Sequence, residues 1–153
     1  MRGFAAIGLH RPKDLHNIGG VLRAAHCYGA SLVAISGDRI DGRAISHAAN
    51  TSAAQRHLPV LRGDLRGLIP YGATPVAVDL VDDAIELPDF VHPLSAFYIF
   101  GPEDGTLGKA ILDWCPYRVM VPTSLCMNLA ATTNVVLYDR LAKQLQRRAQ
   151  VAT

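Results

Sequence analysis

Asn17 and Arg23 are the residues best placed to do chemistry, in the segment Asn17-Ile18-Gly19-Gly20-Val21-Leu22-Arg23. A guanidinium is a permanent cation whose planar fork matches phosphate or carboxylate. An asparagine side chain can accept from the free amides at a helix start. Stepped at about 100° per residue, Ile18, Val21, Leu22 and Ala25 form one apolar stripe, and His16, Gly20, Arg23 and Cys27 fall opposite it. Two glycines in the first turn of a helix lose about 1 kcal/mol each relative to alanine, which implies that another group approaches this backbone closely. The plainer alternative is an N-capped amphipathic helix carrying a solvated arginine.

A second segment, Phe97 to Gly108, runs from a buried strand into a glycine-rich turn and then a helix. Ligands of parallel sheets bind beyond the carboxyl ends of the strands, where this turn would lie. Its glycines, Gly101, Gly105 and Gly108, are not in dinucleotide-fingerprint order, and no glycine stands five residues before Gly108-Lys109 as a Walker loop requires. The alternative is an ordinary turn with Pro102 at its second position and Glu103 and Asp104 supporting the helix start.

The third segment is Val119 to Asn128, followed by Leu129-Ala130-Ala131-Thr132-Thr133-Asn134. Small residues from Ala130 to Thr133 allow close packing, and Val135, Tyr138, Ala142 and Leu145 continue an apolar stripe, so the helix should be half buried. Beyond Tyr138 it turns basic through Arg140, Lys143, Arg147 and Arg148. These read as a solvated end favoured by the helix dipole or as an edge facing RNA phosphates. Cys126 alone reads as a core thiol.

The elements that must position these segments alternate. Strand-length apolar runs occur at Phe4 to Leu9, Ser31 to Ser36, Thr74 to Asp79, Ala96 to Phe100 and Arg118 to Val121, with a shorter one at Val60 to Leu61. Helical patterns occur at Ile18 to Tyr28, Ala44 to Ala54, Leu65 to Ile69, Leu107 to Trp114 and Leu129 to Arg148. Asp82 to Pro93 reads as an irregular connection. The expectation is an α/β fold with a mostly parallel sheet flanked by helices.

At 153 residues, half of them apolar, the chain fits one compact domain and has no room for a second full one. A net charge of +2 falls short of a nucleic-acid coat protein without excluding a local basic site. No run reaches membrane-span length, and the first residues lack a signal peptide's apolar region, so the reading is cytoplasmic with no membrane partner. Cys27, Cys115 and Cys126 are an odd number without a Cys-x-x-Cys pair, which argues against a disulfide framework and a structural metal.

Taken in order, Asn-x-Gly-x-x-x-Arg at Asn17, Phe-Gly-Pro-Glu-x-x-x-Leu at Phe100, and the Pro122 loop leading to Asn128-Leu129 and Leu137-Tyr138-Asp139 resemble the three motifs of the SpoU/TrmH group of SPOUT RNA methyltransferases. The resemblance runs from Leu9 to Arg148. It implies a SPOUT-type fold with a C-terminal trefoil knot, a homodimer, S-adenosylmethionine as methyl donor and a ribose 2′-hydroxyl of RNA as acceptor, with no metal. General rules of chain connection would not have led to a knot.

Residue by residue, the resemblance assigns catalytic positions to Asn17, Arg23, Glu103, Cys126 and Asn128. It assigns donor binding to Val78, Phe100, Gly101, Pro102, Gly105, Val121, Cys126 and Met127. Cys126 and Ala130 replace the family's usual serines around Asn128, and the Pro122 to Cys126 loop is shorter than the family's. Only sixteen residues precede Asn17, so the expectation is a single domain over residues 1–153 without an RNA-binding extension. Transfer RNA is the favoured acceptor, with ribosomal RNA as the other class. The departures motivate one alternative, a non-catalytic RNA-binding protein that retains the fold.

Overall fold

The computed structural model describes residues 3–51 and 58–152. Seven strands form one sheet: β1 (Ala5–His10), β2 (Val33–Ser36), β3 (Val60–Arg62), β4 (Thr74–Val78), β5 (Ile85–Glu86), β6 (Ala96–Phe100) and β7 (Tyr117–Met120). Their spatial order is β3-β2-β1-β6-β4-β7-β5, and each adjacent pair is parallel. Among the described residues four α-helices accompany them: α1 (Leu15–Cys27), α2 (Gly42–Thr51), α3 (Lys109–Leu112) and α4 (Leu129–Val151).

Side chains alternate across a strand, so the central strands need apolar residues on both faces. Ile7, Leu9, Val33, Ile35, Val76, Val78, Tyr98 and Phe100 share one cluster with Ile18, Val21, Leu22 and Ala25 of α1 and Val136 and Leu137 of α4. The intervening residues Ala6, Ala34, Ala77, Phe97 and Ile99 pack with Leu65, Leu107 and Cys115 on the other face. The α1 stripe expected from periodicity is therefore the buried one.

Several expectations change. The helix starts at Leu15, because the Asp14 carboxylate accepts from the His16 N–H and caps it, so Asn17 is not the cap. The bare Gly20 faces protein: a Cβ there would lie 2.7 Å from the Ala130 Cβ of α4. No ligand is needed to explain it. Leu65 to Ile69 holds a 3₁₀ turn, Arg66–Leu68, and Leu107 to Trp114 contracts to the four-residue α3. Gly108 adopts φ +77° at the start of α3, a non-helical backbone, so the helix cannot begin sooner. The Asp82 to Pro93 connection contains the edge strand β5 and a 3₁₀ turn, Leu87–Asp89. Positions 52–54 of the expected second helix lie outside the described residues.

In α4 the core-facing residues are Leu129, Thr133, Val136, Leu137 and Arg140. The expected stripe instead points outward, with Val135, Tyr138 and Leu145 exposed, Tyr138 by 60%. Arg140, expected at a solvated end, is buried.

Candidate functional site

β4, β6 and β7 lie side by side and point the same way, so their carboxyl ends open together. A cavity of about 440 Å³ lies there. Val78, Phe100, Met120 and Val121 supply apolar wall from the strand ends, Gly101, Pro102 and Gly105 supply the turn after β6, and Cys126 and Met127 supply the loop before α4. Asn17, Glu103 and Asn128 also line it. Eleven of the twelve residues singled out from the sequence therefore meet around one space. Arg23 does not line it: it lies exposed on α1, with no side-chain partner among the described residues.

Glu103 joins the turn after β6 to the start of α1. One carboxylate oxygen accepts from the Lys13 N–H at 2.9 Å, and the other from the Asp14 N–H at 3.3 Å and the Asn17 amide at 3.1 Å. The carboxylate sits where the free amides at a helix entrance favour negative charge. Asn17 spends its amide on Glu103, leaving its carbonyl oxygen to the cavity. Asn128 does the reverse: its carbonyl oxygen caps α4 by accepting from the Ala131 N–H at 2.7 Å, and its amide group remains.

Two contacts that sequence reasoning did not single out hold the glycine-rich turn. Asp79, just past β4, accepts from the Leu80 N–H with one oxygen and from the Leu107 N–H with the other, each at 2.9 Å. Arg39, after β2, forms a bidentate pair with Asp104 at 2.9 and 2.8 Å, and Lys13 adds a longer contact of 3.6 Å. The hydrogen bonds and charge of Arg39 hold the Asp104 carboxyl well below the usual carboxylate range. A carboxylate ending a buried strand was the available signal for Asp79; nothing local marked Arg39. Leu80, Thr106, Thr123, Leu129 and Thr132 also line the cavity.

Gly101 is small for a reason internal to the turn. A Cβ there would lie 3.2 Å from the Leu107 N and 3.4 Å from the Thr106 carbonyl carbon, so the loop's own backbone occupies that side. Cys126 is exposed, with only a weak 3.7 Å contact from its Sγ to the Met127 carbonyl, and is not a core thiol. No helix among the described residues is long and apolar enough to cross a membrane.

The fold has known counterparts. The model of the SpoU rRNA Methylase family matches residues 5–138. A 23S rRNA (guanosine-2′-O-)-methyltransferase RlmB of Nitrosomonas europaea is 27% identical over 145 residues, covering 88% of this chain and 55% of that protein. An uncharacterized tRNA/rRNA methyltransferase of Archaeoglobus fulgidus is 25% identical over 133 residues, covering 82% and 58%. The chain thus spans somewhat over half the length of these relatives. Among solved structures, AviRb from Streptomyces viridochromogenes with AdoMet superposes with a TM-score of 0.80 at 19% identity, over 95% of this chain and 59% of that one. A structure described as giving insights into the 2-OH methylation of C/U34 on tRNA superposes with a TM-score of 0.76 at 19% identity, over 95% and 99%.

Proposed function

Because the chain belongs to the SpoU rRNA methylase family, we propose that it transfers the methyl group of S-adenosylmethionine to a ribose 2′-hydroxyl of RNA. The observation that carries this reading is the convergence of Asn17, Glu103 and Asn128 on one cavity at the ends of three parallel strands. Its volume of about 440 Å³ falls within the roughly 300–1,000 Å³ of small-molecule sites. The lining fits the donor's chemistry, with apolar strand ends for an adenine ring, turn backbone for directional hydrogen bonds, and the Glu103 carboxylate for a sulfonium cation.

In this reading Val78, Phe100, Gly101, Pro102, Gly105, Val121, Cys126 and Met127 hold the donor, which supplies an electrophilic methyl group on sulfur. The protein's task is then alignment: an in-line displacement needs the hydroxyl oxygen held on the methyl axis and its proton drawn away. Asn17 and Asn128 each retain one polar group for orienting the incoming ribose, and Glu103 keeps Asn17 in place. Arg23 anchors the phosphate beside the reacting ribose and stabilises charge. A guanidinium gives up its proton too reluctantly to serve readily as the base.

The outward stripe of α4 supports a homodimer in which the partner covers Val135, Tyr138 and Leu145 and brings the RNA to a site shared between subunits. The connection from β7 into α4 is read as knotted, following the family. Transfer RNA is the favoured acceptor, supported by likeness to the structure concerned with tRNA C/U34. Ribosomal RNA is the second reading, supported by the RlmB relative.

Calorimetric titration of S-adenosylmethionine, paired with tritiated methyl transfer to separated transfer and ribosomal RNA, tests this. Donor binding with label on ribose 2′-oxygens of transfer RNA is expected. Donor binding without transfer to any RNA would leave a non-catalytic RNA-binding protein, and no donor binding would remove the cavity assignment.

A further inference from the structure

At the opposite end of the sheet a second cavity, of about 280 Å³, lies between α4 and the segments that lead into β1 and β6. Its wall carries Arg140, Lys143, Arg147 and Arg148, together with His92 and Gln144. These cations are not an ordinary solvated helix end. The core-facing stripe of α4 runs through Thr133, Val136, Leu137 and Arg140, and further steps of three or four residues reach Lys143, Gln144, Arg147 and Arg148. The helix overruns the sheet, and its inward side carries the charge.

The inner cations are already engaged. Arg140 donates to the carbonyls of Pro93 and Leu94 at 2.6 Å, to Phe4 at 3.2 Å, and to the Tyr98 hydroxyl at 3.2 Å. Lys143 donates to the carbonyls of Leu87 and Phe90 at 2.6 and 3.0 Å and pairs with Asp139 at 2.7 Å. Asp139 also pairs with His92 at 2.7 Å. Burial lowers the pKa of His92, so it adds no charge at neutral pH. Four cations against one carboxylate leave a formal excess of three. Arg147 and Arg148 stand at the exposed mouth, with no side-chain partner among the described residues.

We propose that this cavity is a phosphate site for the RNA substrate, engaging a backbone phosphodiester remote from the reacting ribose. The inference rests on the RNA reading above. A small free ion entering the cavity finds positive charge but few unused N–H groups, because Arg140 and Lys143 have spent theirs. A nucleic-acid backbone crossing the mouth meets two free guanidinium forks, the geometry suited to phosphate. Asn128 and Arg147 are nineteen residues apart on one helix, about 28 Å along its axis, so the two sites would contact the RNA several nucleotides apart.

The test is fluorescence anisotropy with labelled bulk transfer RNA, comparing the parent with an Arg147→Gln/Arg148→Gln variant across a salt series. Both side chains are exposed, so the fold should survive, which a thermal melt and unchanged S-adenosylmethionine affinity would verify. The expected result is a Kd raised on the order of tenfold, with the slope of log K against log salt reduced by about two. An Arg147→Lys/Arg148→Lys variant should recover most of the slope and part of the affinity.

Unchanged affinity and slope in the glutamine variant, with a parent that binds RNA, would overturn this site alone. A parent that binds donor but no RNA would overturn the RNA reading and this site with it. A second arm follows the Gln144 side-chain amide by NMR during titration with inorganic phosphate. Saturable millimolar binding there, with RNA affinity unaffected by the substitutions, would assign the cavity to free phosphate and overturn the proposal.

Discussion

Gly20 of α1 and Ala130 of α4 are matched in size: a single added Cβ on Gly20 would stand 2.7 Å from the Ala130 Cβ, inside any real contact distance. The neighbour is a methyl group fixed on a helix, so relief requires the helices to separate. Gly20→Ala gains about 1 kcal/mol of helix propensity but incurs an overpacking cost of about 1–3 kcal/mol. A net loss on the order of 1 kcal/mol in urea unfolding is expected, with weakened S-adenosylmethionine binding because Asn128 and Leu129 shift. Adding Ala130→Gly should restore both, whereas a more stable single variant would show that the helices are not in hard contact.

Arg39 and Asp104 give a prediction with a defined pH range. A carboxyl whose folded pKa is depressed contributes stability that is complete above its ordinary value, near 3.8, and is lost as the pH falls through the folded value. Asp104→Asn should therefore lower the melting temperature and donor affinity by a constant amount from pH 5 to 8, and that difference should shrink only below about pH 4. Melts and donor titrations over that range check it; a difference centred near neutrality would implicate another group.

His92 shifts in the same direction at a higher pH, through burial rather than an ion pair. Burial lowers its folded pKa against the stabilising pull of Asp139. The unfolded chain takes up the proton at the ordinary value of 6.5, so acidification below that point draws the protein toward unfolding, while stability is level above it. The melting temperature should fall between about pH 7 and 5.5, and His92→Gln should flatten that fall. The remainder belongs partly to His10, whose pKa burial and Arg11 also lower. An equally steep fall in the variant would clear His92 of the effect.

Tyr138→Asp tests the outward stripe. A charge placed at the centre of an apolar interface should shift the protein from dimer to monomer in light scattering and depress methyl transfer together. An active monomeric parent, or a monomeric variant with full activity, would show that the stripe does not serve the site.

Arg23→Lys should lose nearly as much turnover as Arg23→Ala, with donor affinity close to the parent in both. Lysine keeps the charge but not the planar fork that can hold a phosphate and a hydroxyl together. Most activity retained in the lysine variant would reduce Arg23 to a point charge.

The order of strands and helices, and the residues that line the cavity at the strand ends, were legible because their signals are local. Central strands declare themselves by unbroken apolar runs, and Asn17, Glu103 and Asn128 by motif. Features resting on distant partners were not. Asp79 reaches Leu107 across 28 residues, Arg39 reaches Asp104 across 65, and Arg140 reaches Phe4 across 136. An arginine in a basic run looks solvated until the carbonyls that enclose it are known. Asp14 and Asn17 are both good capping residues; the Asp14 carboxylate accepts from the His16 N–H and sets the helix start, while the Asn17 amide donates to Glu103. β5 and α3 are too short for any periodicity to register.

The path from Phe4 to Arg140 also governs how the protein can be made. β1 lies in the middle of the sheet between β2 and β6, and α1 packs on α4, so the earliest elements are completed by the latest. Such long-range pairing makes folding slow. While the chain is being synthesised, β1 and α1 emerge well before their partners exist, and the bare side of β1 is an open strand edge. That interval is when self-association is most dangerous. The nascent chain therefore keeps one edge of β1 and the inner face of α1 uncovered until β6 and α4 have emerged.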